Sequence, residues 1–329
     1  MINNKYYIFA PANICSGGPE ALHQLAFYMR ECGLESYVIY YTNSFVDSET
    51  HKRYQQYKPH VIKYEEIEDH QNNYCIASEN APWCLNGIFK AKKCIWWLGL
   101  QLNEVHRVDF KTRIVYYKRK LFKQTILLNK GILFNDNKCL HFCGSKYAYQ
   151  YVSHIYPAEN VFYLVEPISK DFLDNNSIIN KIRKDIVLYN PAKPSDRMNL
   201  LLNRGKFKFV PLKGYTPLEL IQKYIEAKLY VDFGYFGGPE RMPKEAAYWG
   251  CNLLVANHNA ASNDFDVAIP SNYKIDDNES IEVVEEMIQN MLNNYEEHNV
   301  HFIFFKDKVR NLEQNFIQQI KEIFIDENK

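Results

Sequence analysis

The stretch from Leu229 to Ala256 leaves this chain little choice of fold. Leu229 to Phe233 is a short apolar run that reads as a buried strand. Gly234, Gly237, Gly238 and Pro239 cannot continue it and must form a loop. Pro243 suits the first turn of a helix and Gly250 the position just past its end, after which Cys251 to Ala256 is a second apolar run. Strand, glycine loop, short helix and strand make the building block of a parallel α/β sheet, whose loop opens at the carboxyl edge where such sheets bind ligands. The N–H groups at the helix start favour a phosphate. Arg241 and Lys244 are cations placed to pair with it, and Glu245, one turn in, can accept hydrogen bonds from sugar hydroxyls.

The same order occurs at the other end of the chain. Lys5 to Ala10 is an apolar strand and Pro11 to Pro19 a loop holding Ser16, Gly17 and Gly18. Residues 20–32 are a helix with Leu22, Leu25, Ala26 and Met29 at helical spacing, and Ser36 to Tyr41 is the next strand. Further strands are expected at Tyr74 to Ala77, Cys94 to Leu98, Lys138 to Phe142, Val161 to Val165, Asp185 to Tyr189 and Lys206 to Pro211. Helices are expected at Ser145 to Ile155, Thr216 to Ala227, Ile281 to Tyr295 and His301 to Phe324. With 329 residues, two α/β domains follow, divided within the polar stretch 166–184: residues 1–170 and 171–329.

Charge and cysteine usage narrow the class. Thirty-nine basic and 39 acidic residues cancel, which argues against a nucleic-acid-binding surface. The N-terminal residues lack the pattern of a secretory signal, and no stretch reaches the roughly 18 apolar residues of a membrane span. Eight scattered cysteines, several inside apparent strands, fit reduced core thiols and a cytoplasmic protein. Cys139, His141 and Cys143 have the alternation of a strand, a better account than a zinc site, which normally needs four ligands; no metal is expected. Residues 111–123 carry Lys111, Arg113, Lys118, Arg119, Lys120 and Lys123 without an acid, interleaved with Ile114, Tyr117, Leu121 and Phe122 and preceded by Phe110. Such a run is either a solvated face or a dock for an anionic membrane, which would place the protein peripherally at the inner face.

The run Gly238-Pro-Glu-Arg-Met-Pro-Lys-Glu-Ala-Ala-Tyr-Trp-Gly-Cys-Asn-Leu-Leu-Val255 resembles the donor-binding segment of GT-B glycosyltransferases, and Ser16-Gly17-Gly18 looks like the glycine-rich loop of their acceptor-side domain. Ile95-Trp-Trp-Leu98, Ile186-Val-Leu-Tyr-Asn-Pro191 and Val231-Asp-Phe-Gly234 are similar to runs in bacterial capsule and surface-polysaccharide transferases. The resemblance implies two Rossmann-like domains of GT-B type with a cleft between them. The N-terminal one would take a glycan or lipid-linked acceptor, and the C-terminal one a nucleotide-sugar donor as co-substrate, with no other cofactor. It also implies that Glu245 holds the ribose hydroxyls. The first glutamate of the family's paired motif falls at Gly237, so that half of the match is broken, and Glu240 stands nearby out of register. Arg241 and Lys193, with Asn190 in the same loop as Lys193, are the candidate phosphate partners, alongside Gly17, Gly18, Gly237, Gly238 and Lys244 as donor- or acceptor-loop positions. Asp232, Glu20, His23 and Glu79 are the candidate catalytic groups.

Each residue also has a plain structural reading: Asp232 as a loop anchor, Glu20 and His23 as ordinary helix-start residues, Arg241 as a support of the glycine loop. Two other functions fit the same architecture, a nucleotide-sugar epimerase and a non-catalytic nucleotide-binding subunit of a polysaccharide assembly complex. A nicotinamide enzyme does not fit, because neither glycine loop has the G-x-G-x-x-G spacing.

Overall fold

The computed structural model describes residues 4–100, 110, 114, 117, 118, 121, 138–173 and 182–326. The chain divides into two compact units: residues 1–166 together with 314–329, and residues 167–313. The division after residue 166 comes four residues before the expected 170/171, and the last sixteen residues belong with the first unit.

The first unit holds a six-stranded sheet of β1 (Lys5–Pro11), β2 (Glu35–Tyr41), β3 (Tyr74–Ser78), β4 (Lys92–Trp97), β5 (Leu140–Cys143) and β6 (Val161–Tyr163). Its order is β2-β1-β3-β4-β5-β6 and every pairing is parallel. Buried on both faces, its strands are continuous apolar runs: all five residues of β3 are buried, and in β4 Trp96 and Trp97 are both fully buried on opposite sides. Each indole N–H is satisfied, Trp96 by Leu164 O at 2.9 Å and Trp97 by His141 Nδ1 at 3.1 Å. Cys139 and Cys143 pack in the same core layer as Trp97, and His141 stacks on Tyr156 with ring centroids 3.9 Å apart. All eight cysteines are free thiols. Among the described residues no group of three or more His, Cys, Asp or Glu could hold a metal, and no helix is long and apolar enough to cross a membrane.

Helix α1 (Gly17–Glu31) starts earlier than expected, so Gly17 and Gly18 are its first two residues rather than part of a loop. First-turn N–H groups have no intrahelical partner, so glycine and Pro19 are tolerated there. The sequence pattern also joins residues 301–324 into one helix, whereas the chain breaks at Asn311 between two helices, Ile303–Arg310 and Leu312–Lys321. The one apolar stripe of Phe305, Val309, Leu312, Phe316 and Ile320 serves two cores. Phe316, Ile320, Ile323 and Phe324 fill the first unit, with Phe316 stacked on Trp96 at 5.8 Å.

The second unit holds β7 (Lys184–Tyr189), β8 (Lys208–Pro211), β9 (Ala227–Asp232), β10 (Asn252–Ala256) and β11 (Lys274–Ile275), all parallel, in the order β11-β10-β9-β7-β8. Helix α2 (Pro217–Glu226) has the expected cap: Thr216 and Glu219 form a reciprocal capping box and proline opens the first turn. Helix α3 (Arg241–Tyr248) follows the glycine loop, and Gly250 just beyond it has φ +96°. A Cβ at Gly250 would stand 2.3 Å from Arg183 Nη2, which bonds the Trp249 carbonyl, so only glycine fits.

Candidate functional site

Strand order fixes where each unit can bind a ligand. In the second sheet the chain goes from β7 outward to β8 on one side, and from β9 through β10 to β11 on the other. The order therefore reverses between β7 and β9, and the loops leaving their carboxyl ends diverge to leave a crevice. These loops are Asn190–Ser195 and Phe233–Glu240, the two that carry most of the expected nucleotide-binding residues. In the first sheet the reversal lies between β1 and β3, whose loops lead to Gly17 and Gly18 and to Glu79.

At the reversal in the second unit, Lys193 ties the two loops together. Its Nζ lies 2.7 Å from Glu240 Oε2, donates to Tyr235 O at 2.8 Å, and sits 5.2 Å above the Phe236 ring. The approach is close enough that a Cβ on Gly234 would come 2.6 Å from Lys193 Cβ. Asn190 shapes the first loop by accepting the Ala192 N–H at 3.0 Å. Gly237 and Gly238 are buried in the second, and Arg241 is half-buried at the start of α3. Glu240, the residue before α3, has φ +42° and ψ 143°. Positive φ is uncommon outside glycine, and a glutamate held there costs on the order of 1–3 kcal/mol. Such residues gather at ligand sites.

Asp232 ends β9 and is 4% exposed. Its Oδ1 accepts the Gly234 N–H at 3.1 Å and its Oδ2 the Tyr230 hydroxyl at 3.0 Å. Burial pushes its carboxyl up to about 6 despite the opposing Lys193 charge and the Gly234 N–H. With both oxygens engaged by the sheet and the loop it supports, Asp232 anchors the loop, which is its plain structural reading. Glu245 is 5% exposed and its Oε2 accepts the Tyr224 hydroxyl at 3.2 Å, while Lys244 beside it is also buried.

Sequence reasoning missed His258, just beyond the carboxyl end of β10. Its Nε2 is 3.0 Å from Gly234 O and its Nδ1 3.1 Å from Asp277 Oδ1, so it braces the glycine loop from the far side. The available signal was the polar Asn257-His258-Asn259 that ends an apolar strand at the same sheet edge.

In the first unit the expected catalytic groups separate. His23, read from the sequence as a catalytic group or an ordinary helix-start residue, is fully buried. Its Nδ1 is 2.7 Å from Pro19 O, so with that nitrogen donating, Nε2 accepts the Tyr40 hydroxyl at 2.9 Å; the ring stacks on Tyr54 at 4.5 Å. Burial lowers its pKa to about 4, so it is neutral at pH 7. Glu20, 1% exposed, accepts the Tyr57 hydroxyl at 2.7 Å and pairs with Arg53 at 3.3 Å. Both residues fasten the start of α1 to the 52–57 turn. Glu79 differs. It is half-buried at the carboxyl edge and accepts Leu98 N–H at 3.2 Å and Gly99 N–H at 3.1 Å. Burial, helped by the nearby charge of Glu166, pushes it up to about 7, against the pull of those backbone donors. A carboxyl group poised there can take or give a proton near neutral pH.

The second unit also has a cavity of about 890 Å³ at the opposite, amino edge, lined by Arg183, Lys228, Tyr295 and Asn299 among others. Arg183 there bonds the carbonyls of Tyr224, Ala227 and Trp249, and Lys228 bonds Asp185 and Leu292 O. Those cations serve the frame of the unit.

No protein-family profile matches the chain, and no curated protein matches it by sequence. Solved structures do. A glycosyltransferase from Rickettsia africae ESF-5 is similar over 99% of this chain and 100% of its own, at 12% identity and a TM-score of 0.60. WaaG, a glycosyltransferase involved in lipopolysaccharide biosynthesis, is similar over 97% and 98% at 12% identity and 0.62. Sucrose-phosphate synthase from Thermosynechococcus elongatus is similar over 99% of both chains at 10% identity and 0.61. The chain has the two-domain α/β fold of GT-B type that these proteins share.

Proposed function

We propose that the protein is a nucleotide-sugar-dependent glycosyltransferase. The observation that carries this reading is the meeting of the Asn190–Lys193 loop with the Asp232–Glu245 segment at the strand-order reversal of the second unit. Where the two meet, a phosphate has Lys193, Arg241 and the start of α3 to bind to, and Glu245 lies one turn further on for a ribose. In the reaction the bond from the anomeric carbon to the donor's phosphate oxygen breaks, and a bond from that carbon to an acceptor oxygen forms. Negative charge grows on the departing nucleotide, and fixed cations stabilise it without a metal. The acceptor belongs to the first unit in this reading, with Glu79 the carboxylate suited to take its hydroxyl proton. The acceptor class is a glycan or lipid-linked glycan of bacterial surface polysaccharide, capsule or lipopolysaccharide, and the transferred group a hexosyl or related sugar. Thermal melting with a panel of nucleoside diphosphates tests the donor site: at 100 times its Kd a ligand adds about 2.7 kcal/mol to apparent stability. At least one base should raise the melting temperature, and a flat panel at millimolar concentration would sink the reading.

A peripheral position on an anionic membrane accompanies this proposal. Phe110, Ile114, Tyr117 and Leu121 are helical and 51–79% exposed, and their spacing of four, three and four residues is that of one helical face. Of the basic residues interleaved with them Lys118 is described and exposed, and the others lie outside the described residues. Co-sedimentation with phosphatidylglycerol vesicles should exceed that with phosphatidylcholine and fall as salt rises. Equal recovery with both lipids would leave 111–123 a solvated face.

A further inference from the structure

Lys193 is the cation at the centre of the proposed donor site, yet it already has an anion of its own. Glu240 Oε2 sits 2.7 Å from its Nζ, and both side chains are about three-quarters buried, at 22% and 26% exposure. Water therefore screens the pair less than it would a surface pair. A second N–H is committed to Tyr235 O, and the Asp232 carboxylate adds negative potential behind it. A phosphate arriving at this edge finds an ammonium with two of its three N–H groups already engaged. We infer that Glu240 is an internal competitor of the donor's phosphate for Lys193, and that exchanging one for the other makes the site favour a diphosphate over a monophosphate and over an uncharged nucleoside.

This inference rests on the donor-site reading above and adds a selectivity residue to it. Two observations support exchange over a permanent strut. The pair joins two separate loops, one from each side of the strand-order reversal, so it closes the crevice where a ligand enters. Glu240 also has φ +42°, outside the regions a glutamate prefers, so its position is held by its partner and its loop. Once a phosphate takes Lys193, the hold of that partner is gone and the Glu240 side chain is free to swing away. A carboxylate brings one negative charge to the contest. A diphosphate brings more charge and more acceptor oxygens and wins the lysine; a monophosphate has a smaller advantage, and an uncharged nucleoside has none.

The test is calorimetric titration of the full chain and its variants with inorganic pyrophosphate, and with the nucleoside diphosphate and monophosphate of the base that gives the largest thermal shift. Glu240→Gln removes the competing charge at nearly constant shape. It should tighten pyrophosphate and diphosphate binding by about three- to tenfold and narrow the preference for diphosphate over monophosphate. Lys193→Met should weaken diphosphate binding by about tenfold or more. On the Lys193→Met background, Glu240→Gln should change affinity by less than about twofold, because the competition needs the lysine. Direct repulsion between Glu240 and the phosphate would instead give the same gain with or without Lys193, and would overturn the inference. So would unchanged or weaker diphosphate binding in Glu240→Gln, the latter marking Glu240 as a ligand to the donor's hydroxyls; in both cases the donor-site reading stands. Absence of binding in wild type and Glu240→Gln alike overturns both. Thermal melts of each variant guard against a folding defect, which would weaken every ligand together.

Discussion

Gly234→Ala is expected to lower the melting temperature and to weaken nucleoside diphosphate binding by about tenfold or more, whereas Gly18→Ala leaves the fold intact. A Cβ at Gly234 would stand 2.6 Å from Lys193 Cβ, 2.9 Å from Lys193 O and 3.3 Å from Asp232 Oδ1. None of these is the free end of a long side chain, so the Asn190–Ser195 loop itself must retreat. Forcing an extra methyl into such a contact typically costs about 1–3 kcal/mol. The retreat draws Lys193 away from Tyr235 O and Glu240, so the cation loses its fixed place beside the start of α3. At Gly18, the second residue of α1, the new Cβ would meet only Leu98 Cδ1 at 3.8 Å, an ordinary contact. Alanine is the better helix former by up to about 1 kcal/mol, so this variant should melt at or slightly above the wild-type temperature. Differential scanning calorimetry and nucleotide titration read both results. A Gly234→Ala protein with wild-type melting temperature and affinity would show that the two loops do not depend on their close approach. Loss of sugar transfer in a stable Gly18→Ala protein would mean that the glycine leaves room for a ligand.

What the sequence made legible follows from what is local. The strands were readable because parallel strands buried on both faces are unbroken apolar runs, as at Val231 and around Trp96 and Trp97. The Thr216–Glu219 capping box and the glycine closing α3 depend on a few neighbouring residues, and their chemistry is written in residue type. The strand orders are different in kind. Nothing in the β7 and β9 segments says that they lie side by side with the crossovers diverging, yet that arrangement brings Lys193 to Glu240. Glu240 was read as out of register because a motif compares positions along the chain, while the ion pair and the positive φ exist only in three dimensions. His23 failed for a related reason. Off the apolar stripe of α1, it looks like a surface residue, but Pro19 O and the Tyr40 hydroxyl satisfy its ring and let the core accept it. The break at Asn311 was invisible because a stripe of Phe305, Val309, Phe316 and Ile320 has the same spacing whether it faces one core or two.

The sharpest separation of donor-site chemistry from structure comes from Glu245 and Arg241. Glu245→Gln keeps an oxygen for the Tyr224 hydroxyl that now bonds Oε2 at 3.2 Å, so the buried contact under α3 survives and stability should change little. It removes the charge that strengthens hydrogen bonds from ribose hydroxyls. Loss of a charge-assisted hydrogen bond costs about 1.5–3 kcal/mol, or roughly ten- to more than a hundredfold in affinity. Glu245→Gln should therefore weaken ribonucleotide binding by that factor and leave 2′,3′-dideoxy analogues, which have no such hydroxyls, bound as wild type binds them. Tyr224→Phe removes the buried partner instead, and its effect on the two ligand series should be equal. Arg241, half-buried in the first turn of α3, is assigned the phosphate. Arg241→Ala should weaken nucleoside diphosphates by a similar factor without touching bare nucleosides. Calorimetric titration of all four proteins against the matched ligands decides the assignment, because a general loosening of the loop lowers every affinity together, whereas these roles predict losses confined to one chemical group each. If both variants bind the diphosphate as tightly as wild type, the glycine loop of the second unit is not where the nucleotide sits.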